Sequence, residues 1–213
     1  MPEVWLSDTR RIRHTDGLVV VEYLDVDGVT WTAEKKPQTI YCDPWILDTT
    51  NNGWTPAHHE PIAGANFPYA QVEYDPGTEE CAFWRFALPP NFDPDEDIII
   101  KVYWKASTAF AGDVVWGVSV LGREEGDDIN AAALETEVPA AADTVQGVVE
   151  QLTVTTITLT QAQHNLDPDD MVILKLARKA GDDCDNMADD ADVVMIKADI
   201  AIDPAILVAG MPS

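Results

Sequence analysis

The feature that most constrains this chain is a recurrence of short apolar runs with a period of two, cut at close intervals by Asp-Pro and Asp-Gly turns. Alternate side chains of a strand face opposite sides, so such runs build half-buried strands and not helices. Val, Ile, Thr and aromatic residues fill them, the types that suit a pleated surface. The pattern predicts strands at Leu18–Leu24, 29–33, 70–74, 82–88, Ile98–Ala106, 114–121, 148–159, Met171–Arg178 and 193–202. Turns lie between them, at Asp27-Gly28, Asp75-Pro76-Gly77 and Gly181-Asp182-Asp183. About nine strands with a turn every ten residues or so predict an all-β sandwich or barrel. Helix signals are few: one short helix over 128–135 behind an Asp N-cap, and one turn over 161–165. The Ala-rich stretch 136–147 reads as loop. So does 43–66, with Pro, Gly, Asn and two Trp, and ordered loops of that length are usually functional.

One segment is heard twice. Residues 91–106 (NFDPDEDIIIKVYWKA) align without gaps on 165–180 (NLDPDDMVILKLARKA), with eight of sixteen positions identical. Each is followed by a similar strand start, Asp113-Val114-Val115 and Asp192-Val193-Val194. The physical reading is two related hairpins, each opened by an Asp-Pro-Asp turn. Ile98, Ile100 and Val102 face the core in the first, and Val172, Leu174 and Leu176 in the second. Lys101, Lys105, Lys175 and Lys179 face outward. Duplication and convergence both account for the echo. Two equivalent hairpins suit a sandwich of two four-stranded sheets, as in a jelly roll.

Charge narrows the function. Thirteen Lys and Arg stand against 38 Asp and Glu, a formal net charge of −25 over 213 residues. Nucleic-acid binding needs clustered cations, and an anionic membrane surface needs them too, so neither partner is expected. No apolar run approaches the ~20 residues of a spanning helix, and residues 1–14 hold no apolar core of a signal peptide. Five of the 25 Asp precede Pro, at 43, 75, 93, 167 and 203, where they serve turns. The remaining acidity keeps copies apart and soluble.

The order Phe83-Trp84-Arg85-Phe86, Leu88-Pro89, Phe92-Asp93, then Ile98–Ala106, Gly112-Asp113-Val114-Val115-Trp116-Gly117-Val118 and the late Arg178, Asp182-Asp183, Asp185 and Ala191-Asp192 resembles jelly-roll virion structural proteins of tailed bacteriophages and related viruses. These are head decoration, fibre or tail-associated modules, and the resemblance spans roughly residues 66–202. It implies an antiparallel jelly-roll-like β-sandwich, a structural role in the virion after synthesis in the host cytoplasm, and no active site. The expected organisation is an N-terminal arm over 1–17 and a single sandwich domain over 18–213 with short helical insertions. The expected function is non-enzymatic, a capsid decoration or cement protein that stabilises a phage head by multivalent contacts. Its partners would be the major capsid protein or other virion proteins, and further copies of itself, as a trimer or another cyclic oligomer. The alternative is a receptor- or glycan-binding tail or fibre module.

Each candidate site also has a plainer reading. The loop 181–192 holds six Asp, and Asp182, Asp183, Asp185 and Asp189 offer oxygens for Ca²⁺. It lacks the EF-hand register, so its carboxylates are expected to cap backbone N–H groups and pair with Arg178, with no metal. His58-His59-Glu60 has no third ligand at metal spacing. Cys42, Cys81 and Cys184 form no C-x-x-C. No G-x-S-x-G, G-x-G-x-x-G or Walker loop is present, and no cofactor is expected. Trp84, Trp104 and Trp116 are assigned to the core. The interface is assigned to Trp5, Leu6, Arg10, Arg11 and Arg13, the one basic cluster, and to Trp45 and Trp54 in the long loop. Arg pairs bidentately with carboxylates, and Trp supplies a desolvated anchor.

Overall fold

The computed structural model describes residues 36–45, 55–108, 111–129 and 133–202, together with the strand backbone at 3–7, 10–15, 18–24 and 31–33. The N-terminal strands β1 (Glu3–Ser7), β2 (Arg10–Thr15), β3 (Leu18–Leu24) and β4 (Trp31–Ala33) form an antiparallel four-stranded sheet in that order. Two of them, β1 and β2, fall in the stretch read as an arm.

The remaining strands form a jelly-roll-like antiparallel β-sandwich. They are β5 (Lys36–Trp45), β6 (Thr55–Pro56), β7 (His58–Ile62), β8 (Tyr69–Tyr74), β9 (Glu80–Ala87), β10 (Ile98–Ala106), β11 (Asp113–Val114), β12 (Trp116–Arg123), β13 (Val138–Pro139), β14 (Asp143–Thr144), β15 (Thr153–Leu159), β16 (Met171–Arg178) and β17 (Ala191–Ile202). In the first sheet β15 pairs β10, and β10 pairs β17. The far side of β17 is shared by β5, along Ile196–Ile202, and by β8, which carries β7. In the second sheet β13, β12, β16 and β9 are neighbours. Strand β5 leaves β17 and pairs β9 over Asp43–Trp45, joining the two sheets at one edge.

The core lies between the sheets. Ile98, Ile100 and Val102 from β10 and Val172, Leu174 and Leu176 from β16 are fully buried, as their alternation requires. Trp84, Trp104 and Trp116 join them, with Trp116 edge-on to Trp104 at 6.0 Å and to Tyr74 at 5.0 Å. The Trp104 indole N–H donates to the Thr155 hydroxyl at 2.8 Å, so the largest side chain of β10 is buried without a stranded donor. A second apolar cluster, Cys81, Phe83, Ile173 and Ala177, lies on the opposite face of β9 and β16, with Leu121, Leu134 and Met171 packed against it.

The pairing of the echoed segments differs from the hairpins read from the sequence. Strand β10 pairs with neither β11 nor β12, the strands that follow it, and β16 does not pair with β17. Instead β10 pairs β17, and β16 pairs β12. Each copy therefore crosses from one sheet to the other, the first outward and the second back. Alternation fixes which face a residue takes but not which strand lies beside it.

Other boundaries differ as well. The stretch read as loop at 43–66 carries the end of β5, β6 and β7, with 46–54 outside the described residues. The stretch 136–147 carries β13 and β14, which pair β12 and β11. Of the helix expected over 128–135, residues 130–132 lie outside the described set, and the others are irregular or turn. There the Glu135 N–H donates to the Val120 carbonyl, so the chain runs extended beside β12 instead of closing on itself. The turn expected at 161–165 is α1 (Gln161–His164), ended by Asn165 at φ 47°. Asn is one of the few residues besides Gly that accepts this left-handed cap. Buried His164 sits in this turn, its Nδ1 accepting from Leu166 N–H at 3.1 Å and its Nε2 3.1 Å from the Glu96 carbonyl. It is a satisfied structural histidine.

Candidate binding face on the first sheet

The side of the first sheet turned away from the core gathers three of the chain's seven lysines and three of its five tyrosines. Registry brings them together in rows. Thr158, Ile99, Asp199 and Thr39 form one row, and Thr156, Lys101, Lys197 and Tyr41 the next. Val154, Tyr103 and Met195 form a third. A bulge in β17 opposite Tyr103 and Trp104 then keeps Lys105 level with Asp192, followed across the sheet by Glu73 and His58. Tyr41 is 67% exposed.

The charges in these rows are matched. Lys101 Nζ lies 2.9 Å from the Asp199 carboxylate, whose other oxygen accepts from the Thr39 hydroxyl. Burial disfavours the ionised form of Asp199, but the Thr39 hydrogen bond and Lys101 outweigh it and hold the carboxyl below its usual range. Lys197 stands over the Tyr103 ring at 5.8 Å, a cation–π distance, and contact with that tyrosine raises its basicity. This leaves a strip with two phenol rings, two ammonium groups and one oriented carboxylate. Such a strip can stack against a planar or pyranose face and donate hydrogen bonds beside it.

At the end of the strip the polar groups close over themselves. Lys105, expected to face solvent, is on the outward side but buried. Its Nζ reaches Asp192 at 3.0 Å and Glu150 at 2.9 Å, and Glu150 also accepts from the Tyr69 hydroxyl at 2.8 Å. Burial works against the charge on Lys105, but these two carboxylates over-compensate and keep it protonated well above its ordinary range. Burial pushes the Asp192 carboxyl up, opposed by Lys105 and the Ser107 hydroxyl at 2.8 Å.

The other expected sites resolve differently. In the Asp-rich loop, Arg178 is wholly buried and all its donors are used. It makes a fork to Asp185, with an N–O distance of 2.8 Å, and donates to the carbonyls of Tyr74, Met187 and Asp189. Asp185 also accepts from Val115 N–H, Asp182 from Cys184 N–H, and Asp189 from both the N–H and hydroxyl of Thr108. The expected capping and Arg178 pairing are therefore both found. His58 and His59 are exposed on β7. Cys42 and Cys81 are buried and Cys184 is exposed, and none of the three is in a disulfide.

Of the expected interface residues, Trp5 and Leu6 lie on β1 and Arg10, Arg11 and Arg13 on β2. Registry sets Arg11 between Trp5 and Glu22. Trp45 ends β5 opposite Phe83, and Trp54 lies outside the described residues. The sequence reading missed the strip because its parts come from β5, β10, β15 and β17. Tyr41 and Tyr103 share a face only once β17 is known to lie between their strands.

No protein-family model matches the chain, and no curated protein matches it. Among solved structures it is similar to the CBM35 module of Cellvibrio japonicus Abf62, with a TM-score of 0.40 and 8% identity over 76% of this chain and 92% of that one. It is similar to a carbohydrate-binding module CBM36 in complex with calcium and xylotriose, with a TM-score of 0.37 and 17% identity over 75% and 97%. It is also similar to a chain of infectious bursal disease virus Gx strain, with a TM-score of 0.40 and 9% identity over 88% and 39%. None of these assigns a role to a residue of this chain.

Proposed function

We propose that this chain is a non-enzymatic virion structural protein, a capsid decoration or cement protein that adheres through the outward strip of its first sheet to the major capsid protein or another virion component. The observation that carries the reading is the segregation of chemistry on an acidic molecule. With a net charge of −25, three of its seven lysines and three of its five tyrosines share the outward face of one sheet. The outward face of the second sheet is instead closed by its own apolar cluster and by Lys175 and Lys179 clamped on Glu137. An open face with matched charges and aromatic rings suits adhesion, and repeated copies would multiply a weak contact. The basic strand β2, with Arg10, Arg11 and Arg13, and Trp5, Leu6, Trp45 and Trp54 are proposed as a second contact to the same shell.

The test is occupancy on particles. Tyr103→Ala combined with Lys197→Glu is expected to lower the copies bound per particle at least tenfold while the melting temperature stays within a few degrees. Charge reversal at Arg10, Arg11 and Arg13 is expected to give a smaller loss that grows with falling salt. Full occupancy of the strip variant would sink the reading.

One observation favours a second reading, a glycan-binding tail or fibre module. Tyr41, Lys197 and Tyr103 place rings beside hydrogen-bond donors, the pairing that sugars require. Glycan-array binding lost in Tyr41→Ala, with a dozen or fewer copies per particle, would select it.

A further inference from the structure

Strand β15 is the outer strand of the first sheet: among the described residues it pairs β10 on one side and no strand on the other. Its seven residues, TVTTITL, include no charge, proline or glycine. Exposed edges are usually blunted by charge, proline or a bulge, because their free N–H and C=O groups invite another strand. This one has no such guard, on a chain where nearly one residue in five is acidic. A second observation points the same way. Eight large hydrophobic side chains are exposed among the described residues, and four of them lie between 148 and 154: Val148 at 57%, Val149 at 47%, Leu152 at 48% and Val154 at 42%. A fifth, Ile99, is paired directly with Thr158 of the edge. Exposed apolar groups concentrated along an unguarded edge mark a surface that becomes covered.

We infer that the covering partner is a second copy of this chain, with the two β15 strands pairing antiparallel about a twofold axis at Thr156. Charge selects the occupant. A cationic partner would be drawn to the acidic surface elsewhere, whereas two copies at −25 each must meet where neither brings a carboxylate. The segment 148–159 is such a place. Its one acid, Glu150, is held by Lys105 at 2.9 Å, an ammonium it shares with Asp192. The strand is also self-complementary. With Thr156 on the axis, Val154 of each copy faces Thr158 of the other, so the exposed row pairs Thr with Thr and Val with Thr. Such cross-strand pairs stabilise antiparallel ladders. The joint would run the two first sheets into one, placing two strips side by side on a continuous face. It predicts a twofold assembly, one of the cyclic oligomers expected from the sequence, in place of the favoured trimer. It concerns how copies meet each other, and so stands apart from what the strip binds.

The experiment uses the full chain. In sedimentation velocity the wild type is expected at twice the 23.4 kDa chain mass, and Val154→Lys with Thr158→Lys at the monomer mass with an unchanged melting temperature. A wild-type monomer at high micromolar concentration overturns the inference, as does a doubly substituted chain that still dimerises. Mild oxidation tests the register independently of folding losses, in a Cys184→Ser background to remove the exposed thiol. Opposed residues of an antiparallel pair have Cα atoms about 4.5–5.5 Å apart, within disulfide reach. Thr156→Cys is therefore expected to give a covalent dimer, and Val154→Cys alone to give at least tenfold less. Equal yields from the two, or crosslinking of Thr156→Cys to a different virion protein in assembled particles, would refute the twofold pair.

Discussion

At matching positions of the two echoed segments, β10 places Trp104 and β16 places Arg178, and both side chains are wholly buried. Up to that point the copies agree. Ile98, Ile100 and Val102 correspond to Val172, Leu174 and Leu176, and all are core. The lysines agree as well: Lys101 and Lys105 hold Asp199, Asp192 and Glu150 on one outward face, and Lys175 and Lys179 hold Glu137 and Glu79 on the other. The divergence follows from what comes next in the chain. After β10, Ser107 and Thr108 fasten the short connection to Asp192 and Asp189. After β16 the chain loops through residues 179–190, whose carbonyls and carboxylates need donors in the interior. Arg178 supplies them, with five N–H groups in a fixed fork. The same strand position thus serves packing in one copy and loop anchorage in the other, according to the backbone polar groups its neighbourhood leaves unpaired.

The sharpest way to break this comparison is to charge both cores. Ile100→Asp and Leu174→Asp are each expected to abolish cooperative folding, since an unpaired buried charge costs several kcal/mol. A thermal melt by circular dichroism reads the outcome, and a normal melt in either variant would disprove the equivalence of the two strands.

A level below, the divergent positions should fail differently. Arg178→Leu leaves Asp185 buried without its partner and three carbonyls without donors, an expected loss of about 3–5 kcal/mol. Trp104→Ala leaves a cavity and is expected to cost about 3–5 kcal/mol as well. Limited proteolysis separates them: Arg178→Leu is expected to open the 179–190 loop to cleavage under native conditions, and Trp104→Ala to leave it protected. Matching cleavage patterns would remove the anchoring role of Arg178.

Much of the correspondence between the two segments is legible in the sequence. Alternation marks the six core positions and the bounds of β10 and β16, because burial on one face is written at every second residue. Strand partners are not written there. The crossed pairing of β10 with β17 and β16 with β12 comes from long-range docking that no local pattern specifies. Strand β5 escapes notice because Pro37 and Pro44 lower its strand signal, and proline is tolerated where the N–H is not needed by a neighbour. Strand β7, His58–Ile62, is polar and largely exposed, so it lacks the apolar alternation that marks a strand. The outward strip was out of reach for the same reason, since it exists only through registry.

The smallest expected effect distinguishes the lysine clamps by pH. Burial disfavours ionised Glu137, but Lys175 and Lys179 outweigh it and hold its carboxyl below the usual value of 4.5. A depressed folded-state pKa gives stability that is present above 4.5 and lost as pH falls through the folded value. Glu137→Gln is therefore expected to lower stability by about 1 kcal/mol at pH 7 and to flatten the decline below pH 4.5. At the Lys105 clamp of the other copy, burial pushes the Asp192 carboxyl up, so its own contribution has the opposite sign: it favours the folded state as pH falls through its folded-state value. Asp192→Asn is expected to steepen the acid decline. Chemical denaturation at a series of pH values reads both, and slopes that change in the same direction would contradict the contrast.

The crossed pairing also governs when the molecule can come together. Strand β17 lies at the C-terminal end of the described chain, ending at Ile202, yet it is central in the first sheet, bonded to β10 on one side and to β5 and β8 on the other. During synthesis β10 emerges with β17 some ninety residues behind it, and β5 waits longer still for that strand. The second sheet can pair β9, β12 and β16 once Arg178 has been made; the first cannot. Neither echoed segment can be a folding unit of its own, and closure of the sandwich falls to one late strand. Folding of this kind is paced by loop closure over long stretches of chain and not by local turns.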